Sequence, residues 1–170
     1  EHTLFDLGCG TLRGGRFSIN YLSKGNYTGN DISPDILESA KEILQTEGLE
    51  DKEPRLFLTK DISFSEVKGE TFDYVHAQSV LSHMPPEDIK TLFQNVTNIM
   101  HDNSKFLASF FLSENGEIYP GNEHQNFYYP IEWLQKVGGG NGLNVELVET
   151  DRKQKLMLIT KHSLQKPNEV

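Results

Sequence analysis

The residues with the most chemical content come early. The chain opens on Thr3-Leu4-Phe5-Asp6-Leu7-Gly8-Cys9-Gly10, and Gly29-Asn30-Asp31-Ile32-Ser33-Pro34 follows. Two glycines separated by one residue let the backbone turn sharply and approach a ligand closely, because neither carries a Cβ. A carboxylate about twenty residues beyond such a turn is placed to accept hydrogen bonds from the adjacent hydroxyls of a ribose. Asp31 is that carboxylate, and Asp6, inside the apolar run before the turn, is expected to point into the same crevice. A third acid, Asp61, is placed to meet a purine amino group. Each also has a plainer use: a structural turn for the glycines, a turn residue before a helix for Asp31, and a cap for Asp61. The spacing is not that of a dinucleotide fingerprint, since Arg13 stands where Gly-x-Gly-x-x-Gly needs its third glycine and Gly14 comes one residue late.

The elements that must hold these residues follow from periodicity and punctuation. Leu4–Leu7 reads as a short buried strand, and the segment from Arg13 to Ser23 as the first helix. Tyr27–Ile32 is the second strand. Ser33, a good N-cap, and Pro34, a good first residue, start a second helix with Ile36, Leu37, Ala40, Ile43 and Leu44 on its buried face. A third strand is expected over Pro54–Thr59 and a fourth from Thr71, with its exit at Gln78-Ser79. A helix begins at Pro86, with Glu87 and Asp88 favouring its dipole, and runs to Asp102-Asn103. Ser104–Leu112 reads as a strand buried on both faces. Ser113–Tyr129, long, polar and aromatic, is expected to be an irregular lid or binding loop. A helix from Pro130 is predicted to stop at Gly138-Gly139-Gly140, and two antiparallel strands, Leu143–Thr150 and Leu156–Thr160, close the domain. One domain over residues 1–162 and a polar tail over 163–170 result.

The 170 residues suffice for one core. A formal net charge of -9 disfavours a nucleic-acid backbone as partner, and Arg152, Lys153 and Lys155 form only a small basic cluster. The one cysteine excludes an internal disulfide and fits a reducing compartment, so the cytoplasm is the default location. No signal peptide and no run long enough to span a membrane is visible, and no cluster has metal-ligand spacing.

Taken in order, Asp6-Leu7-Gly8-Cys9-Gly10, Gly29-Asn30-Asp31-Ile32-Ser33-Pro34, Asp61-Ile62 and Phe72-Asp73 through His83-Met84-Pro85 resemble the class I S-adenosylmethionine-dependent methyltransferases. The resemblance covers nearly the whole chain. It implies an α/β fold: a doubly wound, mostly parallel seven-stranded sheet with an antiparallel C-terminal strand pair and helices on both faces. It further implies that Asp6, Gly8, Cys9 and Gly10 hold the methionine end of S-adenosyl-L-methionine, with Asp6 near its ammonium. By the same resemblance Asp31 binds the ribose hydroxyls, Ile32 packs on the adenine, Asp61 and Ile62 bracket the adenine edge, and Gln78 and Ser79 lie beside the reactive methyl. Arg13 and Arg16 depart from the commonest pattern; either contacts the cofactor carboxylate or is solvated. The family usually opens with one or two helices that help cover cofactor and substrate, whereas this sequence opens on the strand.

Methyl transfer asks mainly for positioning and exclusion of water, and for a base only when the acceptor must lose a proton. His83 is the candidate base; its plainer role is packing. His124 and Tyr128 in the lid either bind acceptor or pack the lid against the body. The Asn-Pro-Pro-Tyr of resembling amino-methylating DNA and protein enzymes is absent, as is the Pro-Cys of cytosine methylation; the chain has Ala77-Gln78-Ser79-Val80. With the acidic charge, this favours a small-molecule acceptor methylated on oxygen or nitrogen. Two rivals are a non-catalytic S-adenosylmethionine-binding module of a larger protein and a nicotinamide-dependent oxidoreductase; Arg13 and the terminal strand pair argue against the second. Acceptor identity and oligomeric state are not encoded in these motifs.

Overall fold

A computed structural model describes residues 2–121 and 126–162. Strand β1 (Leu4–Leu7) lies at the centre of a parallel sheet, paired with β2 (Tyr27–Asp31) on one side and β4 (Phe72–Ala77) on the other. β3 (Arg55–Leu58) pairs with β2, and β5 (Met100–Leu112) with β4, both parallel. β9 (Lys155–Lys161) runs antiparallel to β5, and β8 (Leu143–Val148) antiparallel to β9. The order β3-β2-β1-β4-β5-β9-β8 reverses direction between β1 and β4. Ligands of open α/β sheets bind at such a switch point, outside the carboxyl ends of the strands.

Strand alternation sorts the core into two layers. Phe5 and Leu7 of β1 join Val75, Phe106 and Phe110 under α3 (Pro86–Val96) and α4 (Ile131–Gly140), whose Ile89, Leu92, Phe93, Val96 and Leu134 are buried against them. The other face carries Cys9, Leu12 and Tyr27 with α1 (Gly15–Tyr21) and α2 (Pro34–Thr46), through Ile19, Leu37, Ala40 and Leu44. α2 starts as its sequence dictates: Ser33 Oγ accepts from the Ile36 N–H at 3.3 Å and Pro34 occupies the first turn.

Four expectations change. First, two additional short strands, β6 (Tyr119–Pro120) and β7 (Phe127–Tyr129), lie in the segment expected to be irregular, so the sheet has nine strands rather than seven. β7 extends β5 in parallel at Phe111 and Leu112, and the rings of Phe111, Tyr128 and Tyr119 stack at centroid distances of 5.0 and 4.7 Å. Aromatic cross-strand stacking supplies the pairing energy that the polar composition concealed.

Second, the helix at Pro86 ends at Val96, short of Asp102-Asn103, and β5 begins at Met100 rather than Ser104. The β4–β5 register shifts between Phe72 and Tyr74, which leaves His101–Ser104 bulged. Ser104 Oγ closes the bulge by donating to Phe72 O at 2.6 Å and accepting from the His101 N–H at 2.8 Å.

Third, α4 continues through the three glycines. A Cβ on Gly138 would stand 2.5 Å from Val145 Cγ2, so its absence lets the helix close onto β8. The stop moves to Asn141-Gly142, where Asn141 Nδ2 donates to Val137 O at 2.9 Å. Fourth, α1 is shorter than Arg13–Ser23, beginning at Gly15, because Leu12 stands in a left-handed conformation (φ 61°) with its side chain fully buried. The tail after His162 lies outside the described residues.

Candidate functional site

At the carboxyl ends of β1 to β4 lies a crevice of about 830 Å³. One side is built by Gly8, Asp31, Ile32 and Ile36, another by Asp61 and Ile62, and the far wall by Gln78, Ser79, Val80, His83 and Met84. Seven of the positions expected at the cofactor site therefore share one cavity, Gly8, Asp31, Ile32, Asp61, Ile62, Gln78 and Ser79, and the candidate base His83 joins them.

The glycine turn is stitched to the end of β2. The Gly8 N–H donates to Asn30 Oδ1 at 3.2 Å, the Cys9 N–H to Asn30 O at 2.9 Å, and the Gly10 N–H to Asp31 Oδ2 at 3.1 Å. Asp31 Oδ1 accepts from the Ser33 N–H at 3.0 Å, so one carboxylate ties the turn to the start of α2. Each of its oxygens keeps further lone-pair capacity for a ligand hydroxyl. Asn30, fully buried, was missed by sequence reasoning, although it sits inside the motif that contains Asp31. Ile32 is 77% exposed, an apolar surface beside the carboxylate. Asp61 is exposed, and hydrogen bonding from Ser63 holds its carboxyl below the usual range.

Other expected residues lie elsewhere. Asp6 does not line the crevice: alternation along β1 sends Phe5 and Leu7 to one face and Asp6 to the other. There Asp6 accepts from Tyr27 Oη at 2.6 Å and lies 3.2 Å from His76 Nδ1. Burial, with Asp6 as a second cause, pushes the Tyr27 phenol far above its ordinary range. Cys9 also faces that layer, packed where a Cβ on Gly29 would meet its Sγ at 3.0 Å. Burial first, then the charges of Asp6 and Asp31, push its thiol up to about 12. The thiolate is the nucleophile, so Cys9 is expected to resist iodoacetamide in the native protein at about pH 8 and to react fully once denatured; mass spectrometry of the adduct reads this directly, and rapid native labelling would contradict the buried placement. Gly10 and Arg13 border the turn outside the crevice lining; Arg13 is exposed, whereas Arg16 pairs with Glu47 at 2.6 Å.

Tyr128 is held between the Phe111 and Tyr119 rings. Its neighbour Tyr129 is fully buried, stacks on Trp133 and donates to Met84 O, which ties this segment to the crevice wall. His124 lies outside the described residues.

Gln78 and Ser79 join two residues that sequence reasoning missed, Ser109 and Gln154. The Ser79 N–H donates to Ser109 Oγ at 2.7 Å, and Ser109 Oγ donates to Gln154 Oε1 at 2.7 Å. A serine inside the apolar run Phe106–Leu112 was the available signal, because a buried hydroxyl needs a partner. Among the described residues no group of three or more His, Cys, Asp or Glu side chains is arranged to hold a metal ion, and no helix is long and apolar enough to cross a membrane.

The arrangement has known counterparts. A family model described as a methyltransferase domain matches residues 5–106. An S-adenosylmethionine-dependent methyltransferase from Clostridium acetobutylicum superposes with a TM-score of 0.73 at 17% identity, over 95% of this chain and 84% of that one. The glycopeptide N-methyltransferase MtfA complexed with S-adenosyl-L-methionine gives 0.76 at 16% identity, over 96% and 82%. Magnesium protoporphyrin IX methyltransferase from Synechocystis gives 0.68 at 20% identity, over 94% and 70%. At these identities the likeness is one of fold. No curated protein matches the sequence.

Proposed function

The chain belongs to the methyltransferase domain family, and from that premise and the shape of the crevice we infer that it transfers a methyl group from S-adenosyl-L-methionine to a small-molecule acceptor, on oxygen or nitrogen. The observation that carries this reading is the convergence of Gly8, two acids and the Gln78-Ser79 wall on one cavity of about 830 Å³.

The residues present suit the cofactor. A Cβ on Gly8 would meet Val80 Cγ2 at 2.5 Å, so glycine lets the turn pack directly against Val80 of the crevice wall. Asp31 offers acceptors for a ribose diol, Ile32 and Ile62 offer apolar cover for a purine, and Asp61 an acceptor for its amino group. Gly10 and the buried Cys9 would support the methionine end through their N–H bonds to Asp31 and Asn30, Asp6 would lie behind them near its ammonium, and Arg13, exposed beside the turn, would offer a cation to its carboxylate. When bound, the cofactor supplies a sulfonium methyl already activated for in-line displacement. The chain's task is then to orient the acceptor beside Gln78 and Ser79 and to exclude water. His83, on the crevice wall, is placed to take a proton from a hydroxyl or amine acceptor. Tyr128 belongs to the segment that would border the acceptor.

The net charge of -9 supports an uncharged or cationic small acceptor over a polyanion. A cytoplasmic setting accords with the unpaired, buried Cys9. Calorimetric titration with S-adenosyl-L-methionine and separately with NAD tests the reading. Binding of the first alone, followed by methyl transfer in a screen of small hydroxyl and amine compounds, is expected. NAD binding alone would overturn it, and cofactor binding with no turnover across the screen would favour a non-catalytic module.

A further inference from the structure

We propose that Gln154, delivered by the β8–β9 hairpin, is a positioning residue that locks the Gln78-Ser79 wall in its working shape. This rests on the methyl-transfer reading only in assigning that wall to the transfer site.

The wall has an unusual backbone. Ser79 stands at φ 60°, a left-handed conformation that a residue with a Cβ adopts only when its surroundings enforce it. A set of five hydrogen bonds does so. The Ser79 N–H is anchored on Ser109 Oγ at 2.7 Å. The Ser79 hydroxyl donates to Gln154 Oε1 at 3.1 Å. Gln78 Nε2 reaches Ser109 Oγ at 3.1 Å and Gln154 Oε1 at 3.3 Å. Ser109 Oγ completes the set by donating to Gln154 Oε1 at 2.7 Å. One amide oxygen thus collects donors from the end of β4 and from β5. A serine hydroxyl rotates freely unless its proton is committed. By taking the Ser109 proton, Gln154 leaves the Ser109 lone pairs aimed at the Ser79 N–H. Gln154 Nε2 lies 3.5 Å from Ser82 Oγ, a contact at the limit of hydrogen bonding.

The placement of Gln154 is not what its own hairpin requires. Asp151, Arg152 and Lys153 just before it are all exposed; Lys153 lays its ammonium over the Phe111 ring, whereas Gln154 turns in to hydrogen-bond the strand ends. A residue that served only to close the hairpin would have its partners there, as Lys155 does in donating to Thr150 O at 2.8 Å. Every partner of Gln154 lies instead on the crevice wall or directly behind it.

The test uses two substitutions and two readouts. Gln154→Ala removes the shared oxygen; Gln154→Glu keeps an acceptor at the same place, adds a charge and turns the weak contact to Ser82 into one in which the serine hydroxyl donates. In the ligand-free protein the Ser79 amide is expected to exchange with solvent about tenfold faster in Gln154→Ala and at the wild-type rate in Gln154→Glu, the size set by one lost neutral hydrogen bond. Calorimetry with S-adenosyl-L-methionine is expected to follow the same order, with Kd raised about tenfold in Ala and within about threefold of wild type in Glu. An unchanged Ser79 amide in Gln154→Ala overturns the proposal, as does equal acceleration in both variants, which would make the side chain a mere spacer. If the wild-type protein binds no S-adenosyl-L-methionine, the functional reading fails while the exchange measurement still decides the clamp.

Discussion

Asp31→Ala is expected to weaken S-adenosyl-L-methionine binding by on the order of 100-fold, taking about 1.5 kcal/mol for each of two hydroxyl hydrogen bonds to a charged acceptor. The carboxylate stands at the rim of the crevice with the Gly10 and Ser33 N–H groups each on one oxygen. Those bonds aim it and leave lone pairs directed outward. Alanine would remove both the ligand contacts and the bridge from the glycine turn to α2, so a loss of affinity alone does not separate them. Ligand-side deletion does. In the wild type, an analogue lacking the ribose 2′-hydroxyl should bind about tenfold more weakly than the parent compound, whereas in Asp31→Ala the two should bind alike. Calorimetry of the four pairs gives the coupling directly. Equal losses from the missing hydroxyl in both proteins would place the ribose elsewhere and reduce Asp31 to a structural tie.

Much of this site was legible because its parts are local. The Gly8–Gly10 turn, Asp31 beyond it and the Ser33-Pro34 helix start are each defined by residue types within a few positions, and the structure joins them through the hydrogen bonds of Asp31. What stayed hidden depends on distant contacts. Gln154 is an ordinary polar residue in a charged hairpin until the β5–β9 pairing brings it beside Ser109. Three consecutive glycines read as a stop, yet the approach of Val145 makes Gly138 the residue that α4 needs. Strands β6 and β7 are too short and polar to show a period, and ring stacking across Phe111, Tyr128 and Tyr119 defines them. Asp6 shows the opposite case. Its motif position suggested the crevice, while the two-residue period of β1, with Phe5 and Leu7 buried on one face, already assigned it to the other.

Gly8→Ala is expected to damage both the fold and the site, and its size can be divided. At φ 65° a Cβ carries the left-handed penalty of about 1–2 kcal/mol, and at 2.5 Å from Val80 Cγ2 it adds an overpacking cost of about 1–3 kcal/mol. Gly10→Ala separates the two, since Gly10 shares the backbone conformation (φ 58°) and a Cβ there meets nothing within 4 Å. Gly10→Ala should therefore lower the thermal midpoint by a few degrees and Gly8→Ala by roughly 5–15 °C, given about 2–4 °C per kcal/mol for a chain of this size. Pairing Gly8→Ala with Val80→Ala should return the clash component but leave the backbone component, bringing the midpoint toward that of Gly10→Ala, less the smaller loss from truncating half-buried Val80. Binding divides differently. With the clash relieved, the new methyl group and the truncated Val80 still alter the crevice lining beside the turn, since both positions border the cavity. S-adenosyl-L-methionine affinity is expected to stay at least tenfold down in the double variant even as stability recovers. Recovery of both together would mean that Gly8 serves only the packing of Val80, and the ligand would then be held from the β2 and β3 side of the crevice alone.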